Sequence, residues 1–322
     1  MAVTGATGLD IVGLGEAMVL VAPADGQPLE SALLAGVHVA GAELNVCVAA
    51  AALGARTAFA SRVGDDPLGR RVRAAAAALG VDTSLLGTDP DAPTGLFLKD
   101  VQRDGLRRVY YYRTGSAASR IDLADAERIL ARRPGTVVVS GITVSLGPGP
   151  ERAVSALLRG ARAAGVRVAL DPNLRPALGP VPEQVLRLRS ILSYVDTLLL
   201  GTDEAPHLFG TADPGAVFDA AEQAGVGETV LKAGADGCYV WTAGTIRHLP
   251  SAATVVVDPV GAGDAFAGGY LAGRARALPG YAAAWLGTQL AARVVAHPGD
   301  TTGLPSASEA DALLNEALTL AG

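Results

Sequence analysis

The stretch VVVDPVGAGDAFAGGYLAG, Val255 to Gly273, holds a β-branched run, a corner of three small residues and an apolar helix rich in Gly and Ala. The corner Gly261, Ala262 and Gly263 presents several backbone N–H groups and the positive end of a helix dipole at one point, which suits an anion. Asp264 follows at once. As an N-cap it would only close the helix end. Beside a bound phosphoryl group it would accept the proton of an attacking hydroxyl, in a reaction catalysed mainly by positioning and charge stabilisation.

Composition supports a phosphate site built from backbone. The 322 residues carry 26 basic and 32 acidic side chains, a formal charge of −6 that argues against a general nucleic-acid binder. Of the basic residues 24 are Arg, and the two lysines, Lys99 and Lys232, each follow Leu rather than Gly. No GxxxxGK[ST] loop exists, so a nucleotide would have to be held without its lysine. Half the residues are apolar and 18% are charged, enough for a packed core. Cys47 and Cys238 sit far apart in apolar or small-residue runs and read as buried free thiols, and the scattered histidines form no zinc pattern. The N-terminus lacks the marks of a secretory signal and no apolar run reaches about 20 residues. The expectation is a cytoplasmic protein that meets neither membrane nor nucleic acid.

Outward from the corner, the chain alternates strands and helices. Leu9 to Ala22 reads as strand, Gly-rich corner and strand; Gly41 to Gly54 as a helix with a Gly stop; RTAFASRVG as a strand; Asp66 to Gly80 as a helix. Residues 94–119 break this rhythm with two β-like segments joined by a turn at 103–105, an antiparallel hairpin rich in Tyr and Arg. The alternation then resumes through strands TVVVSGI, VRVALDPN, DTLLLG and TVLKAG. It favours a parallel sheet sandwiched by helices. With no internal repeat and no long linker, residues 1–322 read as one domain with a small β lid from segments near 16–40 and 94–119.

DPVGAGDAFAGGY, 258 to 270, resembles the C-terminal signature of the PfkB or ribokinase-like carbohydrate kinases. AGAELNVCVAAAALGARTAFASRVGDDPLG, Ala40 to Gly69, is similar to their N-terminal signature, and the likeness spans nearly the whole chain. The resemblance implies an α/β fold, a ribokinase-like three-layer α/β/α sandwich with a mostly parallel central sheet and a β-sheet lid. It also implies ATP as phosphoryl donor, Mg²⁺ as the neutralising ion, Asp264 as base, and pairing of subunits through the lid.

VYYYRTGSAAS, 109 to 119, resembles the lid of the branch that phosphorylates the sugar acid 2-keto-3-deoxygluconate, and this implies substrate contacts at Tyr111 and Arg113. Arg binds carboxylate as a bidentate fork, whereas cross-strand packing is the other account of the tyrosines. DPNLRPAL, 171 to 178, follows a strand, at the end where open α/β sheets bind ligands. By resemblance Asn173 and Arg175 lie where nucleotide meets substrate, a loop salt bridge being the alternative. Gly41, Ala42 and Asn45 are similar to the family's sugar-binding turn, though helix packing would also explain Asn45. LKAGADGCYVW, 231 to 241, resembles the strand, turn and strand bordering ATP, with Lys232, Gly234, Ala235 and Gly237 at the matched positions; an exposed turn lysine is the other reading. Asp300 matches a late acid that closes the substrate pocket, or simply forms a turn.

Two departures stand out. Where the family often has Asn-x-x-Glu near metal and phosphate, the chain has GTDE, so Glu204 survives for an indirect metal role while Gly201 replaces the amide. Phe97 stands where a Tyr hydroxyl would touch the sugar acid, and its loss would weaken affinity or mark another substrate. Three rival readings remain: a dinucleotide oxidoreductase, weakened because GLGEAM has Met18 in place of the third glycine; a nucleotide-binding regulator, opposed by the intact GAGD; and another sugar kinase of the fructokinase or ribokinase type.

Overall fold

The computed structural model describes residues 8–24, 27–101, 107–242 and 244–321; the turn expected at 103–105 lies outside them. In chain order the elements are β1 (Ile11–Leu14), β2 (Met18–Pro23), β3 (Ala35–Ala40), α1 (Ala42–Ala52), β4 (Thr57–Gly64), α2 (Pro67–Ala78), β5 (Leu86–Asp89), β6 (Leu96–Val101) and β7 (Arg107–Tyr112). They continue with α3 (Leu123–Ala131), β8 (Thr136–Ser140), α4 (Gly141–Val144), α5 (Pro148–Ala164), β9 (Arg167–Asp171), α6 (Val181–Arg189), β10 (Thr197–Gly201), α7 (Ala205–Phe209), α8 (Pro214–Gln223) and β11 (Glu228–Lys232). The last are β12 (Cys238–Thr242), β13 (Thr245–Leu249), α9 (Ala262–Ala275), α10 (Gly280–Val295) and α11 (Ala307–Ala321).

Nine strands form the large sheet in the order β13-β12-β11-β10-β9-β8-β1-β4-β5. It is parallel from β11 to β5, and β12 and β13 extend it antiparallel. Its central strands are apolar on both faces, as a sheet covered on both sides requires. Val137, Val139, Leu170, Leu198 and Leu200 face a layer containing α3, α5, α6 and α8. The intervening Val138, Ala169 and Leu199 face α1, α9, α10 and α11. This is the expected three-layer α/β/α sandwich. Cys47 and Cys238 are buried and free, and no helix among the described residues is long and apolar enough to cross a membrane.

A second sheet of four strands, in the order β3-β2-β6-β7, is built from the two segments expected to form a lid. β6 and β7 are the expected antiparallel hairpin, with Phe97 opposite Tyr111. The chain passes between the sheets four times, near residues 15–17, 41, 94–95 and 113–116. The buried Glu16 meets all of these passages. Its carboxylate accepts from Ser116 Oγ at 2.6 Å and Arg113 Nε at 2.7 Å. A Cβ at Gly95 would come within 2.6 Å of Glu16 Oε1, and one at Gly41 within 2.6 Å of its carbonyl oxygen. GLG at 13–15 is likewise explained by packing: a Cβ at Gly15 would strike the carboxyl of Glu43, which is wholly buried and bonded to Ser140 and Thr143. Those glycines let α1 approach the sheet and bear no dinucleotide signature.

The Val255–Val257 run joins neither sheet and is half exposed. It is tethered by Val257 and Asp258 N–H groups to the Val295 carbonyl.

Helices α1 and α9 touch along small residues. A Cβ at Gly268 would lie 2.5 Å from Ala49 Cβ and 2.6 Å from the Val46 carbonyl oxygen. Gly268→Ala is therefore expected to destabilise the fold by about 1–3 kcal/mol through overpacking, outweighing alanine's better helix propensity. Urea unfolding of the two proteins measures it.

Candidate active site

The C-terminal ends of three neighbouring parallel strands open on one side of the large sheet. β9 ends at Asp171, β10 at Gly201 and β11 at Lys232, and all three line a cavity of about 670 Å³ roofed by the small sheet. Ligand sites of open α/β sheets lie at such strand ends. Helix α9 begins at the same cavity. Gly261, just before it, has φ of +81°, a conformation that favours glycine, and a Cβ there would come within 2.5 Å of the Asp300 carbonyl oxygen. The corner therefore lies tight against the 300 loop, with the Gly263 and Asp264 N–H groups of the first turn of α9 placed where an anion could be met.

Asp264 is the third residue of α9 and does not cap it. One carboxylate oxygen accepts from Asn45 Nδ2 at 2.8 Å, joining the first turn of α9 to that of α1. The same amide nitrogen lies 3.5 Å from Asp300 Oδ2. Burial raises the Asp264 carboxyl; the Asn45 bond and Lys232 oppose this, Asp171 and Asp300 reinforce it, and the outcome is a pKa pushed up to about 7. A base poised near neutral pH suits proton transfer from a hydroxyl.

Lys232 is not an exposed turn lysine. It reaches from the end of β11 to bond Asp171, and its ammonium would lie 3.7 Å from a Cβ on Gly263. Burial alone would lower its pKa, but Asp171, Glu204 and Asp264 outweigh that and raise it. A lysine thus reaches the anion corner from another strand. Glu204 holds the neighbouring loop, its two oxygens accepting the N–H groups of Leu174 at 2.8 Å and Gly201 at 2.9 Å. Burial and then Asp171 raise its pKa. The Asp203 carboxylate fills the space beside Gly201 where a side chain would stand, so a Cβ there would lie 2.4 Å from Asp203 Oδ1. Asn173 lines the cavity with φ of +43°, a conformation asparagine tolerates.

At the lid end, Phe97, Tyr111 and Arg113 form one wall. The ring centroids of Phe97 and Tyr111 are 5.7 Å apart, and the Arg113 guanidinium stands 5.5 Å from the Tyr111 ring centre. Tyr110 and Tyr112 alternate to the opposite face and are exposed. Arg113 is not free: its Nε and Nη2 face the buried carboxylate of Glu16.

Most of the expected site residues therefore meet. Gly41, Ala42 and Asn45 line the same cavity, as do Arg175, Gly234 and Asp300. Three expected positions do not line it. The Ala262 N–H turns back to Pro259 O at 3.4 Å. Ala235 lies in a short 3-10 turn, and Gly237, at φ of +97°, serves that turn, where a Cβ would collide with the Leu249 carbonyl. Sequence reasoning missed Glu16, Lys99 and Asp203. Glu16 was detectable as the one charge between Ile11 and Ala22, and Lys99 as one of two lysines.

The family model described as pfkB family carbohydrate kinase matches residues 9–307. The chain belongs to that family. It is accordingly a phosphotransferase acting on a sugar hydroxyl, with ATP the donor the family implies. Among curated proteins it is similar to 2-dehydro-3-deoxygluconokinase of Thermoproteus tenax, 36% identical over 95% of this chain and 94% of that one. It is also similar to the protein of the same name from Bacillus subtilis, 32% identical over 97% of each. Among solved structures, a PfkB protein from Polaromonas sp. JS666 superposes with a TM-score of 0.84 at 33% identity, covering 94% of this chain and 99% of that one.

The raised pKa of Asp264 has two measurable consequences. Acting as a base, it would have to be ionised, and kcat/KM for the sugar should then fall about tenfold per pH unit below about 7. A carboxyl whose pKa is higher folded than unfolded contributes stability at low pH and loses it as pH rises towards the folded value. Asp264→Asn should therefore melt higher than the parent at pH 8, with the gap closing as pH falls from 7 towards 4.

Proposed function

We propose that the protein is a 2-keto-3-deoxygluconate kinase, moving the γ-phosphoryl group of ATP to the terminal hydroxyl of that acid to give 2-keto-3-deoxy-6-phosphogluconate. The observation that carries the phosphoryl-transfer chemistry is Asp264, desolvated beside the Gly261–Gly263 corner with a pKa of about 7. The substrate reading is supported by the 2-dehydro-3-deoxygluconokinase relatives, whose name denotes the same acid, and by the Tyr111–Arg113 wall.

In this mechanism Asp264 takes the proton of the 6-hydroxyl as that oxygen bonds to the γ-phosphorus, and the bond to the β,γ-bridging oxygen breaks to release ADP. The N–H groups at the start of α9 and the Lys232 ammonium meet the charge on the transferring group. Asn45 holds the Asp264 carboxylate in place, and Asp300 and Asn45 meet substrate hydroxyls. Asn173, Arg175, Gly201 and Gly234 border the nucleotide. Mg²⁺ fits a site of this kind, since it is commonly held by substrate phosphates with one or two carboxylates and both Asp203 and Glu204 line the cavity. Asp203, which lines the cavity, would hold it, with Glu204 acting through the loop it holds. The ion would supply charge neutralisation on the phosphates. The reaction belongs with the ATP of the cytoplasm.

One observation favours a neutral sugar instead, of the fructokinase or ribokinase type: Glu16 already matches the charge of Arg113. ATP consumption measured across sugar acids, ketohexoses and pentoses separates the readings, and highest kcat/KM for 2-keto-3-deoxygluconate is expected. Asp264→Ala should lower kcat by about 10²–10⁴; near-normal turnover would remove the assigned base. We also propose that a second copy of the chain covers the exposed Leu33, Leu34, Tyr110 and Tyr112 of the lid. Light scattering should then give the mass of a dimer or larger assembly, and a monomer mass rejects this.

A further inference from the structure

The cations around the cavity differ in how firmly they are held. Lys232 is bonded to Asp171 at one end, and Arg113 is fixed along its Nε–Nη2 edge by Glu16 at the other. Each of these cations is held by a direct hydrogen bond to its carboxylate. Arg175 lies on the nucleotide side, exposed, with Nη1 on the Leu174 carbonyl.

Lys99 is held differently. It stands on β6 two residues beyond Phe97, on the strand face that carries Phe97 and opposite Val109 and Tyr111, all of which line the cavity. Its stem is three-quarters covered, and its ammonium lies 3.8 Å from Asp300 Oδ1, an ion pair too long for a hydrogen bond. That Asp300 oxygen is itself buried with no hydrogen-bond partner. Burial raises the Asp300 pKa and Lys99 lowers it, with Asn45, Asp258 and His38 as the other neighbours. The loosely held cation and the unsatisfied carboxylate oxygen therefore face one another across the cavity, one on the small sheet and one on the loop beside the anion corner.

We infer that Lys99 is a specificity-determining residue, whose ammonium leaves Asp300 to bind the carboxylate of the acidic substrate. The move off Asp300 leaves each partner to a ligand oxygen: the substrate carboxylate on the ammonium, and a substrate hydroxyl on the vacated Asp300 Oδ1. A flexible ammonium can make that exchange, whereas the Arg113 fork can offer only the N–H groups that Glu16 leaves. This role rests on the sugar-acid reading above and assigns its charge recognition to a residue on a different strand from Arg113.

The test is steady-state kinetics of the parent, Lys99→Met and Lys99→Arg on 2-keto-3-deoxygluconate and on fructose, with ATP varied separately. Loss of a charge-assisted hydrogen bond should raise KM for the acid about 10- to 100-fold in Lys99→Met. KM for ATP and for fructose should stay within about twofold, and kcat should change far less than KM. Lys99→Arg, which keeps the charge, should recover most of the loss, and matched thermal melting confirms that all three proteins fold alike. A KM for the acid unchanged in Lys99→Met, or a rise shared equally by fructose, overturns the role of Lys99 while leaving the substrate reading intact. A parent enzyme that prefers fructose overturns the substrate reading, and this role with it.

Discussion

The hydrogen bond from Asn45 to Asp264 links residues 219 apart in the chain, and the rest of the site is arranged around it. It forms only because α1 and α9 approach almost backbone to backbone. Gly268 admits Ala49 and the Val46 carbonyl, while Gly269 and Gly273 on α9 admit Gly287 and Ala283 of α10 in the same way. Larger side chains at these positions would part the helices and carry Asn45 away from the aspartate. The abundance of Gly and Ala that looks featureless in the composition is thus the means of bringing this carboxylate to its amide partner. The same closeness places Asp264 deep in the cavity, and desolvation by burial is the first cause of its raised pKa.

Around that carboxylate the charges come as matched partners from distant parts of the chain. Asp171 with Lys232 joins two strand ends across the intervening β10. Glu16 with Arg113 joins two passages between the sheets, and Asp300 with Lys99 joins core to lid. Several acidic groups can share one cavity because cations are threaded among them. The −6 overall balance therefore says little about the local field felt by a ligand.

The strand and helix alternation, the hairpin and the Gly-Ala-Gly corner at the start of α9 were legible because each rests on local pattern: apolar runs, glycine stops and small residues before an apolar helix. Asp66 shows this at single-residue scale, since its side chain accepts from Gly69 N–H and caps α2 as its place before Pro67 suggests. What escaped depends on partners far away in sequence. Nothing near Glu16 announces Arg113, 97 residues on, and nothing near Lys232 announces Asp171, 61 residues back. Ala262, Ala235 and Gly237 were assigned by position in a motif, yet a motif carries scaffold residues along with ligand contacts. Their backbones shape the corners on which their neighbours face the cavity.

The meeting of four chain passages at Glu16 also has a mechanical side. The ion pair with Arg113 is only one of two holds on the small sheet, since Val19, Val39 and Leu96 also pack along α1 and α2. Arg113 and Ser116 sit at the Glu16 end, while Lys99 and Val109 lie further along the paired strands. The cavity wall on this sheet thus takes its position from polar bonds at one end and from apolar packing behind it, two constraints that different solvent conditions would loosen separately.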